Sequence, residues 1–223
     1  MLLPDTYYHI YNRANGWEAL FKNDENCRFF LEKCNLYLSP VAKIYAWCLI
    51  PNHFHLMIKT KTEEELQTLR KYAEQVPGEL SESAVGKHLE SLQGTGSANS
   101  RDVEGWTGAV FSKQFQKLFS SYSQSFNKVH KRKGSLFIPN FKYKVIEGLN
   151  HRIQIALYIH RNPIHHGLVK KPEDWRHSSY HAILESTEEH PEFTELISWF
   201  GDKKELIEMQ LKYQAEISRD FED

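Results

Sequence analysis

Two strand-like runs, Lys43-Ile-Tyr-Ala-Trp-Cys-Leu-Ile50 and His53-Phe-His-Leu-Met-Ile-Lys59, are separated by Pro51-Asn52 alone. Both are rich in β-branched and aromatic residues, and a Pro-Asn step leaves room for a turn and little else. The spacing predicts an antiparallel hairpin. Side chains two apart on a strand project from one face, so His53 and His55 converge while Phe54 points the other way.

The rest of the chain supplies partners for that hairpin. Thr6–Arg13 reads as a first strand, turned by Ala14-Asn15-Gly16. A helix capped by Asp24 follows through Phe29, Phe30, Leu31, Cys34, Leu36 and Leu38, and Pro40 ends it. Thr62–Tyr72 is a short helix with an acidic start. Phe111, Phe115, Leu118, Phe119, Tyr122, Phe126 and Val129 recur at three and four residues, a helical stripe closed by Gly134. Ser135–Ile146 is a further strand region with an irregularity at Pro139-Asn140. Asn150 caps a helix that Pro163 should stop. Glycines at 78, 86, 94, 96, 105 and 108 break any period between Val76 and Val110, which reads as a loose insertion with a short helix near Ser83–Leu92. One more helix is expected at about Lys203–Phe221.

This order predicts an α+β fold, a ferredoxin-like antiparallel sheet with packed helices. The expected division is a domain over residues 1–170, containing the insertion at about 76–110, and an acidic helical extension over 171–223. With 40% hydrophobic residues in 223, the chain can build a core. No run of about 18 apolar residues exists to span a membrane, so no membrane partner is expected. The N-terminus lacks the basic start and apolar run of a signal peptide. Three cysteines without a C-x-x-C pair fit a reducing compartment, and the expected location is the cytoplasm.

The net charge of -1 conceals a strong asymmetry. From Ser112 to Arg152 the bases Lys113, Lys117, Lys128, Lys131, Arg132, Lys133, Lys142, Lys144 and Arg152 face one acid, Glu147. From Lys171 onward there are 14 acids and 6 bases. Lysines interleaved with Phe115, Phe119, Tyr122, Phe126, Phe137, Phe141 and Tyr143 form the composition of a nucleic-acid groove. A solvated helix over an aromatic core has the same composition, and the pattern alone does not separate the two.

His53 and His55 can be paired metal ligands, but among twelve histidines the pattern alone favours satisfied polar groups on a sheet. In Tyr158-Ile-His-Arg-Asn162 the first and last residues stack on one helix face. An amide oxygen from Asn162 could then reach an ion held by the two histidines, with the Tyr158 hydroxyl beside it. On spacing alone, helix packing for Tyr158 and a helix-ending role for Asn162 serve as well. Tyr122, inside the apolar stripe, reads as core. His165 and His166 read as turn residues, with DNA contacts or extra ligands as the alternative; His9 could neighbour the site if the sheet order is ferredoxin-like, but nothing local distinguishes it from an ordinary half-buried histidine.

Four blocks in order carry a resemblance: Tyr8-His-Ile-Tyr-Asn-Arg-Ala-Asn-Gly16; Leu49-Ile-Pro-Asn-His-Phe-His-Leu-Met57; Gly134-Ser-Leu-Phe137 with Phe141-Lys142; and Tyr158-Ile-His-Arg-Asn-Pro-Ile-His-His-Gly-Leu-Val169, followed by Pro172-Glu-Asp-Trp175 and Ser178-Ser-Tyr180. The chain resembles the HUH single-tyrosine transposases, and most closely their REP-associated branch. The resemblance implies an HUH nuclease-type fold and a metal-dependent single-stranded DNA endonuclease and strand transferase. It implies Tyr158 as the nucleophile of a 5′-phosphotyrosine intermediate, and Mg²⁺ or Mn²⁺ held by His53, His55 and Asn162. Asn162 stands where related enzymes use glutamine, one methylene longer. Hairpin-containing single-stranded DNA is the implied partner, contacted by Lys113, Lys117, Lys128, Lys131, Arg132, Lys133, Lys142 and Lys144. A homodimer sharing its active sites is compatible with the resemblance. The other reading is a hairpin-binding protein of the same fold that does not cut.

Overall fold

The computed structural model describes residues 1–75, 103–185 and 190–219. Four strands, β1 (Tyr7–Arg13), β2 (Ala42–Ile50), β3 (His53–Thr60) and β4 (Lys142–Val145), form one sheet in the order β2-β3-β1-β4. β2 and β3 are the hairpin turned at Pro51-Asn52. β1 joins β3 through bonds such as Ala14 N–H to the Asn52 carbonyl, 2.8 Å. β1 and β4 pair antiparallel with Tyr8 opposite Val145 and Tyr11 opposite Lys142. The α+β architecture and antiparallel sheet expected from the sequence are thus what the chain adopts. β4 is shorter than the Ser135–Ile146 region expected, because Pro139 brings no N–H and Asn140 adopts a left-handed φ of 63°.

The chain divides into two compact units: Met1–Thr6, Asn23–Lys43 and Lys59–Phe137 in one, Tyr7–Lys22, Ile44–Ile58 and Ile138–Asp223 in the other. The first holds helices α1 (Asp24–Leu38), α2 (Glu63–Gln75) and α3 (Val103–Val129). α1 is capped by Asn23, whose Oδ1 accepts from Asn26 N–H at 2.9 Å, and not by Asp24 as expected. Asn23 alone has the extended backbone that an N-cap needs. α2 opens on a reciprocal cap between Thr62 and Glu65. α3 starts well before Phe111, running through Gly105 and Gly108. Burial of Thr107, Val110 and Phe111 outweighs the roughly 1 kcal/mol that each helical glycine costs. The core here gathers Phe30, Cys34, Phe115, Tyr122, Phe126 and Phe137. Tyr122 is 1% exposed with its ring 5.1 Å from that of Phe30, and burial pushes its phenol well up, so it is a packing residue. The short helix expected at Ser83–Leu92 lies outside the described residues.

The second unit holds α4 (Gly148–His165), a 3₁₀ turn (Pro172–Asp174), α5 (Ser179–Glu185), α6 (Pro191–Ser198) and α7 (Lys203–Arg219). Where one tail helix was expected, three form. α5 and α6 are too short for their periodicity to stand out, and they persist by packing. Ile183, Leu196, Phe200 and Leu206 from the tail share a core with Tyr45, Met57, Ala156 and Ile159. The Trp175 indole donates to the Leu49 carbonyl at 3.0 Å, and Gln210 reaches the Leu157 carbonyl at 3.3 Å.

α4 starts at Gly148, with Glu147 and not Asn150 at its cap position, and it does not stop before Pro163. Proline removes one interior donor, but the last turn is closed from beyond it. His166 N–H bonds the Asn162 carbonyl, Gly167 N–H that of Ile164, and Leu168 N–H that of Pro163. Gly167 permits this ending with a φ of +66°. The extra turn brings His165 and His166 to the end that carries Asn162. Among the described residues no helix is long and apolar enough to cross a membrane, and Cys27, Cys34 and Cys48 are buried free thiols.

Candidate active site

His9, Tyr11, His53, His55, Lys142, Lys144, Tyr158, Asn162 and His166 all belong to the second unit. Alternation along β3 puts His53 and His55 on one face, with ring centroids 5.1 Å apart and planes nearly perpendicular, while Phe54 is wholly buried behind them. The same alternation along β1 puts His9 and Tyr11 on that face. His9 Nε2 lies 2.8 Å from His55 Nδ1, and the two ring planes are within 28° of each other. β4 continues the surface, since Lys144 pairs with His9 and Lys142 with Tyr11, and both lysines are exposed.

α4 delivers the second half of the constellation. Asn162 is 1% exposed and places Oδ1 3.1 Å from His53 Nε2. One turn earlier, Tyr158 is 37% exposed, with its ring 5.4 Å from His55 and 5.7 Å from His9. Helical spacing of four thus stacks phenol and carboxamide over the strand histidines within a single chain. His166 joins the edge, its ring 4.8 Å from His53.

The histidines are held neutral. Burial, reinforced by Lys144 and His151, pushes His9 down to about 4. Burial also brings His53 to about 4; the Asn162 bond opposes this, and His166, Arg13 and His165 add to it. His55 lies well below the usual range, through burial and then its histidine neighbours. A neutral imidazole is the form that ligates a cation.

The donor set fits the ion that the resemblance implies. Neutral His53 carries one ring proton. Its Nδ1 lies 2.9 Å from Asn52 Oδ1 and its Nε2 3.1 Å from Asn162 Oδ1, so the single proton can serve only one of two acceptors. In the tautomer protonated at Nδ1, Nε2 and Asn162 Oδ1 face each other as two acceptors, a conflict that a cation between them would relieve. Neighbouring ligands of an octahedral ion with bonds of about 2.1 Å stand about 3.0 Å apart. Turning the carboxamide over would satisfy His53 but strand Oδ1 where Nδ2 now lies buried without a partner. Among the described residues no three histidine, cysteine, aspartate or glutamate side chains are placed to hold a metal. An ion here therefore depends on the carboxamide as its third protein donor.

Of the candidate DNA-contact residues, Lys128, Lys131 and Lys133 are exposed, and Lys113 and Lys117 are half-buried along α3. The Arg132 guanidinium bonds Asn127 Oδ1 and the carbonyls of Gly134 and Ser135 at 2.8–3.1 Å, so it builds the turn after α3. The sequence offered His9 as a neighbour of the site only on condition of the sheet order, and the β3-β1 pairing brings it there. Its signal was period-two alternation on β1, which becomes informative once the pairing with β3 is known.

Neither a protein-family model nor a curated protein sequence matches the chain. Among solved structures, the chain is similar in fold to a REP-associated tyrosine transposase bound to a REP hairpin, with a TM-score of 0.52, 14% identity and 82% of each chain covered.

Proposed function

We propose that this protein is a metal-dependent endonuclease and strand transferase for single-stranded DNA, a transposase-type enzyme of the HUH single-tyrosine class. The observation that carries the reading is the position of Tyr158, its ring 5.4 Å from His55 and one helical turn from an Asn162 amide 3.1 Å from His53. The solved transposase of similar fold, bound to a DNA hairpin, supports the substrate class.

A divalent cation, Mg²⁺ or Mn²⁺, held by His53, His55 and Asn162 would supply Lewis-acid polarisation of the scissile phosphate. The chain's own groups do the rest. The Tyr158 oxygen attacks phosphorus, the bond to the 3′-oxygen breaks, and the proton lost by the phenol is matched by the one the 3′-oxygen takes up. The products are a 5′-phosphotyrosyl protein and a free 3′-hydroxyl, and attack by another 3′-hydroxyl reverses the step without ATP. Lys142 and Lys144, on the same face as the histidines, sit where the phosphates of a bound strand need charge. Lys113, Lys117, Lys128, Lys131 and Lys133 of the first unit are further candidate phosphate contacts. Both halves of the site come from one chain, so a monomer suffices for chemistry.

The test is a hairpin carrying a single-stranded flank, labelled in turn at its 5′ and 3′ ends and incubated with the protein and Mn²⁺ before denaturing electrophoresis. Label from the downstream fragment alone should migrate with the protein, and Tyr158→Phe should abolish this. Cleavage that persists in Tyr158→Phe would show water as the nucleophile. Salt-sensitive binding with no covalent product under any metal would leave a hairpin-binding protein.

A further inference from the structure

We infer that His9 is a positioning residue, which fixes the tautomer of His55 and so presents the His55 Nε2 lone pair to the cation. The inference rests on the proposed metal-dependent reading. It adds a role that neither the HUH pair nor the tyrosine block supplies.

A neutral imidazole carries its proton on one nitrogen, and only the other can ligate. Which one is protonated depends on the partner of the remote nitrogen. For His55 that partner is His9 Nε2, 2.8 Å from His55 Nδ1. If Nδ1–H donates to His9, His55 Nε2 is left bare. If the proton sits on His9 Nε2, His55 carries its own proton on Nε2 and cannot ligate. Both rings are nearly sealed, at 5% and 6% exposure, so water does not compete for the bond. The rings meet edge to edge, centroids 5.0 Å apart and planes 28° apart, the arrangement an in-plane N–H···N bond requires.

His53 is served in the same sense. Its Nδ1 lies 2.9 Å from Asn52 Oδ1, which as an amide oxygen only accepts. In the ligating tautomer both strand histidines give Nδ1–H to a protein partner and leave Nε2 for an ion. Asn52 is exposed at the hairpin turn, whereas His9 is buried and reaches across from a neighbouring strand. Losing His9 removes a partner at a position nearly sealed from solvent. The positioning role is thus concentrated in His9.

The test compares wild type, His9→Leu, His9→Gln and His55→Ala, each confirmed folded by circular dichroism. Free Mn²⁺ is titrated by electron paramagnetic resonance, and ¹⁵N shifts of the His55 ring are recorded without metal and with diamagnetic Mg²⁺. Loss of such a partner typically weakens metal affinity about 10- to 100-fold. A loss of that size is expected for His9→Leu, with part of it recovered in His9→Gln, whose amide oxygen can accept. Wild-type His55 should show a protonated Nδ1. If His55→Ala abolishes Mn²⁺ binding while His9→Leu retains wild-type affinity, the His9 role is overturned and the metal site stands. If His55→Ala binds Mn²⁺ as wild type does, the metal reading itself fails. Should His9→Leu not fold, the wild-type shifts decide, and a protonated Nε2 on His55 in the Mg²⁺ form overturns the proposal.

Discussion

His160 gives a pH dependence of stability that can be isolated from every other titration in the molecule. It is fully buried in α4, with Nε2 2.8 Å from Ser179 Oγ and its ring 5.3 Å from that of Tyr180. Ser179 Oγ lies 2.9 Å from Trp47 N and 3.2 Å from Trp47 O, so the hydroxyl proton goes to that carbonyl and His160 Nε2–H donates to Ser179. A second proton would have to sit on Nδ1, which is buried with no partner among the described residues. Burial accordingly pushes this imidazole to about 3, against 6.5 for an unburied histidine. Above pH 6.5 folded and unfolded chains are both neutral here, and the residue contributes its full stability. Below it the unfolded chain takes up a proton that the folded chain refuses, and stability falls until the folded state itself protonates near pH 3. The slope is about 1.4 kcal/mol per pH unit, so lowering pH from 6.5 to 5.0 removes about 2 kcal/mol through this one residue. His160→Gln keeps a donor for Ser179 but cannot titrate. Urea unfolding at pH 7.5 and 5.0, in chelator, should show wild type losing about 2 kcal/mol more than His160→Gln across the interval. The subtraction cancels His9 and His53, which shift in the same direction in both proteins. Equal losses in the two proteins would refute the reasoning.

Lys142→Ala and Lys144→Ala, on the exposed edge strand beside the histidines, should each lower the dependence of log affinity on log salt for single-stranded DNA by about one. Fluorescence titrations from low to moderate salt measure this, and an unchanged slope in both would remove β4 from the interface. Phe115→Ala, at a wholly buried position in α3, should destabilise its unit by about 3–5 kcal/mol through lost burial and a cavity, read by urea unfolding at pH 7.5.

Sequence and structure agree where one local rule decides the outcome. The Pro51-Asn52 step and the period-two pattern of His53-Phe-His55 set the hairpin and the shared face, because turn chemistry and strand alternation need nothing from elsewhere. The stacking of Tyr158 over Asn162 follows equally from helical spacing. Legibility ends where distant residues supply the missing partner. Pro163 reads as a stop because proline lacks an N–H, yet the backbone donors of His166, Gly167 and Leu168 close the turn beyond it. Asn23 outcompetes Asp24 as a cap through backbone geometry that composition does not report. His9 shows the limit most plainly. Taken alone, it is a histidine among tyrosines on a strand, and alternation says only that it shares a face with Tyr7 and Tyr11. Its meaning comes from register: the pairing of β1 with β3 sets His9 against His55, and the pairing with β4 sets it opposite Lys144. A slip of one residue in that register would turn His9 to the opposite face and put Tyr8 or Ile10 in its place. Long-range strand pairing therefore decides whether His9 meets His55 at all, and no local pattern in the sequence reports that pairing.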